Sequence, residues 1–288
     1  MSEPATRLSE KEARQNPLVI NDMRGRVLDL LHQTRFALTQ HFVVALGISR
    51  SNLSRLLGPL YRHHYLDRMP QLVRHGPGAP ALVYTLGVLG QEYIAELHGV
   101  PPEDRRRRPA RPISAYFVEH YLAIADVYVA LHAAARAHGL TLLWSNEVEA
   151  RRPFQARAEN RVLAPDGIFW LGGPELLTTL VLLEVDRSTE SLQRWQGKLR
   201  DYQDYFTAPA GFAAQYERPP RVLVLVTARS AERARSLRSH TARVWQGEWA
   251  GYPFRMGFAV HDPLQLNPEG ILALPWTGLD GKLFRLVE

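Results

Sequence analysis

Apolar positions recur at helical spacing three times near the start of the chain, and a polar or glycine-containing break closes each run. Val27, Leu28, Leu30 and Leu31 fall at mixed three- and four-residue intervals, which predicts a helix beginning at Asp22. Phe36-Ala37-Leu38-Thr39-Gln40 begins a second short helix running to about Leu46. Gly47-Ile48-Ser49 is then a tight turn, with Ser49 or Ser51 placed to cap the next helix. That third helix has Leu53, Leu56, Leu57 and Leu60 as its core stripe. Its other face presents Arg50, Ser51, Asn52, Ser54 and Arg55. Two helices, a glycine turn and a third helix with a polar, basic leading end make the arrangement of a helix-turn-helix.

The next segments extend that pattern. Tyr65 to Arg68 and Ala81 to Thr85 read as paired strands, joined by a turn-rich, basic tip from Arg74 and His75 to Pro80. That is a wing, and Gly90 to Leu97 supplies a closing helix. Residues 21–100 therefore read as a winged helix-turn-helix, preceded by a flexible arm over residues 1–20. Residues 101–113 form a linker in which prolines surround Arg105 to Arg108 and Arg111, a composition that keeps a chain extended.

From residue 114 the periodicity changes. Tyr116 to Ala137 has a long apolar helical face (Leu122, Ala125, Val129, Leu131, Ala135) ended by Gly139. Strand-like runs follow at Leu140–Asn146, Leu163–Leu171 and Leu176–Asp186, the last two separated by the turn signal Gly172-Gly173-Pro174. A helix over Ser188–Phe206, an apolar strand over Arg221–Thr227 and an arginine-rich helix over Ala231–Val244 come next. Short strands near Phe254–Val260 and Ile271–Leu274 complete the series. The order predicts an α/β (α+β) domain around a mixed sheet, spanning residues 114–288.

Composition adds two constraints. Cysteine is absent, which excludes disulfides and thiolate-held zinc. The net charge of +6 is unevenly placed: residues 1–112 carry about 16 basic against 10 acidic side chains, while the remainder balances at about 19 against 19. A basic front end joined to a neutral domain suggests a polyanion as partner, with double-stranded DNA the first candidate. No apolar run reaches the length of a membrane span, and the polar N-terminus lacks the apolar core of a signal peptide. A cytoplasmic protein without a membrane partner is expected.

The candidate chemistry lies at the end of the Leu176–Asp186 strand. Side chains alternate along a strand, so Glu184 and Asp186 point the same way. Two carboxylates on one face of an apolar strand are costly unless a cation or a proton sits between them. If the hairpin turns near Pro174 or Glu175, facing residues have numbers summing to about 350, which places Asp166 beside Glu184. Three hard oxygen ligands, Asp166, Glu184 and Asp186, suit Mg2+ or Mn2+. Lys198, one of only three lysines, lies on the flank of the following helix, where it could orient a water or stabilise developing charge.

Asp166-Gly167, the run Glu184-Val185-Asp186-Arg187-Ser188-Thr189-Glu190-Ser191, then Lys198 and Tyr202, resembles the replication-relaxation family of mobile-element proteins. The resemblance spans about Arg24 to Thr227 and implies a DNA-binding protein tied to replication and relaxation of plasmids or conjugative elements. The second half also resembles the PD-(D/E)XK nuclease fold, with Pro165-Asp166 and Glu184 matching its pattern. Asp186 stands where that pattern has lysine. Three readings remain open: the lysine role has moved to Lys198, the site no longer cuts, or Asp186 joins Arg187, Arg194 or Lys198 in a structural ionic cluster. Binding to two-fold DNA sites would suit a homodimer.

Overall fold

The computed structural model describes residues 7–71, 81–99, 114–173, 179–188, 190–215, 221–228, 230–245, 254–260 and 268–286. The chain divides into two compact units, Met1–Val129 and Ala130–Glu288, and the division falls inside one helix.

Unit 1 begins with α1 (Glu10–Gln15), where a frayed arm was expected. Ser9 and Glu12 form a reciprocal capping box there, satisfying amide groups that a helix start leaves open. Arg14 then reaches Glu92 at 2.7 Å and fixes the helix to the unit. Helix α2 (Asp22–Thr34) buries Val27, Leu28, Leu30 and Leu31, the stripe read from the sequence. The second helix starts later than expected. Ala37 and Leu38 form a short strand, β1, paired with Tyr84 and Val83, and α3 occupies Thr39–Leu46. Gly47 ends it in the left-handed conformation (φ 68°), which glycine adopts without steric cost.

Helix α4 (Arg50–Arg62) is capped by the Ser49 hydroxyl and buries Leu53, Leu57 and Leu60. Strands β2 (Leu66–Pro70) and β3 (Leu82–Leu86) pair antiparallel, with Leu66 opposite Leu86, and α5 (Val88–Leu97) follows. The sheet order is β1-β3-β2. Helix α6 (Ala115–His138) then contributes its first turns to unit 1. On α3 the buried His41 accepts the Leu38 amide hydrogen at Nδ1, so Nε2 carries the ring proton and donates to Asp126 on α6 at 2.8 Å.

Unit 2 is built on a seven-stranded mixed sheet. Its strands are β4 (Thr141–Asn146), β7 (Gly167–Gly172), β8 (Thr179–Asp186), β9 (Arg221–Ala228), β10 (Phe254–Val260), β11 (Trp276–Gly278) and β12 (Leu283–Phe284), in the order β12-β11-β10-β9-β8-β7-β4. Strands β8, β9 and β10 run parallel and the flanking pairs are antiparallel. Between β4 and β7 a separate ribbon forms from β5 (Arg152–Ala156) and β6 (Glu159–Leu163). The crossovers are α7 (Leu192–Thr207) and α8 (Ala231–Val244).

One face of the sheet (Ile168, Leu180, Leu182, Val224, Val226, Met256, Phe258) forms a single core with Trp195, Leu199 and Tyr202 of α7 and Leu237 of α8. Each large apolar side chain buried in this way contributes about 1.5–3 kcal/mol. Leu180 and Leu182 face that core, so the alternation of β8 carries Glu184 and Asp186 to the same side. The sequence expected a strand over Ile271–Leu274; a short helix, α9 (Pro268–Ala273), occupies that stretch instead.

Candidate functional site

The hairpin register puts two of the expected carboxylates together. Gly167 pairs with Leu183, and the Asp166 amide donates to the Leu183 carbonyl at 2.9 Å, so Asp166 stands opposite Glu184. A Cβ on Gly167 would come within 2.8 Å of the Trp144 ring on β4, and that close approach explains glycine after Asp166. Asp166 is buried, and its Oδ2 accepts the Val185 amide hydrogen at 2.7 Å. That bond orients the carboxylate along the end of β8.

Glu184 is 2% exposed, and donors on α7 meet both of its oxygens. Lys198 Nζ donates to Oε2 at 2.7 Å and the Tyr202 hydroxyl to Oε1 at 2.8 Å. Helical geometry makes the pair possible, because Lys198 and Tyr202 are four residues apart on one face. Burial pushes the Glu184 carboxyl up to about 7, with the Asp166 carboxylate adding to the rise and Lys198 opposing it. Burial alone would lower the Lys198 ammonium. The carboxylates of Glu184, Asp166 and Glu190 reverse that effect and hold it protonated, above its ordinary value. Burial, followed by the Glu184 charge, raises the Tyr202 phenol as well, so it remains a donor. Lys198 also lies 3.7 Å from Glu190, which pairs with Arg194 at 3.0 Å.

Asp186 departs from the expected three-carboxylate cluster. Arg233, in the first turn of α8, meets it with both Nε (2.9 Å) and Nη2 (2.8 Å), a bidentate pair. The remaining geometry is local: Asp186 Oδ1 accepts the Ser188 amide hydrogen at 2.7 Å, and Arg233 also donates to the Glu190 carbonyl at 2.6 Å. Asp186 thus fastens the β8–α7 loop to α8. Among the described residues no group of three or more His, Asp or Glu side chains is gathered so as to hold a metal ion. Sequence reasoning missed Arg233, which lies 47 residues from its partner. It also read Tyr202 chiefly as a core residue, although its spacing from Lys198 carries the signal for its second role.

Unit 1 presents the other expected set. Arg50, Ser51, Asn52, Ser54 and Arg55 are all exposed on α4, while its leucines face inward. Leu56, expected in the core stripe, is only half-buried. Arg74 and His75, expected at the hairpin tip, lie outside the described residues, as does the 101–113 segment. His64, with φ 61°, is bonded through Nε2 to the Leu8 carbonyl at 2.6 Å, which gives it a local structural partner. The buried Glu119 and Asp126 of α6 bond Gln71 and His41 within unit 1.

The sequence model of replication-relaxation proteins matches residues 28–217, about two thirds of the chain. The chain belongs to the replication-relaxation family. In this replication-relaxation protein the matched residues include α4, Asp166, Glu184, Lys198 and Tyr202, and they end before α8. No curated protein and no solved structure matches the chain. Among the described residues no helix is long and apolar enough to cross a membrane.

Proposed function

We propose that this protein binds duplex DNA through unit 1, acting as a winged helix whose α4 enters the major groove. The observation that carries this reading is the division of α4: its leucines are buried while Arg50, Ser51, Asn52, Ser54 and Arg55 are exposed together at its N-terminal half. Arginine and asparagine are suited to base edges, and serine and arginine to phosphates. The excess positive charge of the first 112 residues supports the same partner. In the matching assay, labelled duplex DNA is titrated with the protein over a salt series. Arg50→Ala and Arg55→Ala should each weaken binding and reduce the salt slope by about 1. Binding equal to the parent at every salt concentration would refute this placement.

A second reading, a metal-dependent DNA endonuclease or nickase in unit 2, is favoured by the buried Asp166 and Glu184 with the half-buried Lys198 beside them. The residues fit a divalent ion of the Mg2+ or Mn2+ kind: Asp166 and Glu184 offer hard oxygens from adjacent strands, and such ions need only one or two carboxylates beside phosphate and water. Asp186 does not belong to that donor set, because Arg233 neutralises it. A bound ion would lower the pKa of a water and clamp the scissile phosphate. Lys198, held protonated, would stabilise charge developing on the phosphate, and Tyr202 would hold Glu184 in place. Supercoiled plasmid incubated with the protein and Mg2+ or Mn2+ reports the activity. Loss of nicking in both Asp166→Asn and Glu184→Gln is the expected result. Equal nicking by those variants, or none by the parent on DNA it binds, would remove this reading.

A further inference from the structure

Among the described helices of unit 2, α8 is the most basic. Its 14 residues include Arg233, Arg235, Arg238 and Arg243 against one acid, Glu232. Residues 113–288 as a whole hold about 19 basic and 19 acidic side chains, so the positive charge is concentrated locally. The four arginines divide by helical phase. Ala234, Leu237 and Thr241 face the core, and Arg233 turns to Asp186. Arg235 and Arg243 are exposed and Arg238 half-exposed, and with the exposed Ser239 they occupy the outward arc.

Among the described residues, Arg235, Arg238 and Arg243 have no carboxylate within ion-pair distance, and the Nε of Arg235 donates to the Ala231 carbonyl of its own helix. By contrast, Arg157 and Arg161 on the β5–β6 ribbon are engaged by Asp204, and Arg161 by Asp201 too. Three arginines on one helical arc, none paired with a carboxylate of the described residues, form a basic patch. From Arg235 to Arg243 the helix rises about 12 Å, which matches several phosphates along a duplex carrying one charge per about 1.7 Å. The patch is also mechanically tied to the carboxylate site. Arg233, in the first turn of the same helix, is locked to Asp186 two residues beyond Glu184 and to the Glu190 carbonyl.

We infer that the outward face of α8, through Arg235, Arg238 and Arg243 with Ser239 beside them, is a second DNA-backbone contact, made by unit 2 itself. The inference rests on the DNA-binding reading and adds to it a phosphate-gripping surface separate from α4. Contacts of this kind hold the duplex without reading sequence. The contribution is therefore uniform across sequences and sensitive to salt.

The test uses the full chain and labelled duplex DNA over a salt series. The parent is compared with an Arg235→Ala/Arg238→Ala/Arg243→Ala variant, its triple Arg→Lys counterpart, and Arg50→Ala/Arg55→Ala. The triple alanine variant should bind at least tenfold more weakly at moderate salt and lose about 2–3 from the log–log salt slope. The effect should be the same on unrelated sequences, and the lysine variant should retain most of the binding. Melting temperatures equal to the parent's exclude unfolding as the cause. If the triple alanine variant keeps the parent slope while Arg50→Ala/Arg55→Ala weakens binding, the α8 contact is refuted and the α4 reading stands. If the parent has no affinity for duplex DNA, both fall together. DNA binding unchanged, with loss of binding to phosphatidylserine vesicles, would assign the patch to an anionic lipid surface and overturn the inference.

Discussion

Glu184 and Asp186 sit on one strand and one face, two residues apart, yet their surroundings are opposite in kind. Asp186 is matched by a guanidinium that meets both of its oxygens, and its charge is neutralised in place. Glu184 has a lysine and a tyrosine, but burial and the neighbouring Asp166 still push its carboxyl up to about 7. One acid is compensated and the other is left poised. A bidentate arginine pair holds structure together, whereas a buried, raised acid beside a second carboxylate and a protonated lysine is the feature on which the proposed cleavage site rests. Spacing along the strand treats the two residues alike; only their partners separate them.

Breaking the Asp186 pair should give the largest effect on stability. Arg233→Ala leaves a buried carboxylate without its cation, and a loss of about 3–5 kcal/mol is expected in denaturant unfolding. The double variant Arg233→Met/Asp186→Leu should recover most of that loss, since a matched apolar pair carries no stranded charge. A single variant as stable as the parent would show that the pair is not the fastening described above.

Removing Lys198 is expected to act on the proposed cleavage, and on folding less than Arg233→Ala does, because a stranded Glu184, its carboxyl already pushed up to about 7, takes up a proton. Lys198→Met should reduce metal-dependent nicking on the order of 100-fold, equivalent to about 2.7 kcal/mol of barrier, while the protein still binds duplex DNA. Nicking at the parent rate would take Lys198 out of the site.

The pH response follows from the direction of the Glu184 shift. A carboxyl whose folded pKa is raised binds its proton more tightly in the folded state. Its stabilising contribution is complete below the unfolded value near 4.5 and disappears as pH rises through about 7. Stability measured from pH 5 to pH 8 should therefore fall by roughly 2–3 kcal/mol more in the parent than in Glu184→Gln. Parallel profiles for the two proteins would contradict the shift. The smallest effect belongs to the exposed Arg157, 81% accessible, whose loss to alanine should leave the melting temperature within about a degree of the parent's.

Much of this arrangement was legible before any coordinates. The β7–β8 register followed from a turn signal and period-2 alternation, and it placed Asp166 against Glu184. The amphipathic stripes of α2 and α4 and the bounds of α8 also followed from local pattern. What escaped depends on distant or unusual partners. Phe36-Ala37-Leu38 looks helical, but Ala37 and Leu38 pair with Tyr84 and Val83, far along the chain. The β5–β6 ribbon turns on Arg157-Ala158, both at positive φ, where a hairpin usually advertises itself with Asn-Gly or Gly. Ile271–Leu274 is too short for periodicity to separate strand from helix. Arg233 could not be assigned to Asp186 because no local pattern links a strand end to the helix after the next strand.

The division of labour between the two carboxylates is tested most directly by Mn2+ titration of the parent, Glu184→Gln and Asp186→Asn, with each protein's folding checked by melting. Binding should be lost in Glu184→Gln and kept within a few-fold in Asp186→Asn, and it should strengthen as pH rises through about 7. Loss of Mn2+ binding in a folded Asp186→Asn protein, or undiminished binding in Glu184→Gln, would contradict it.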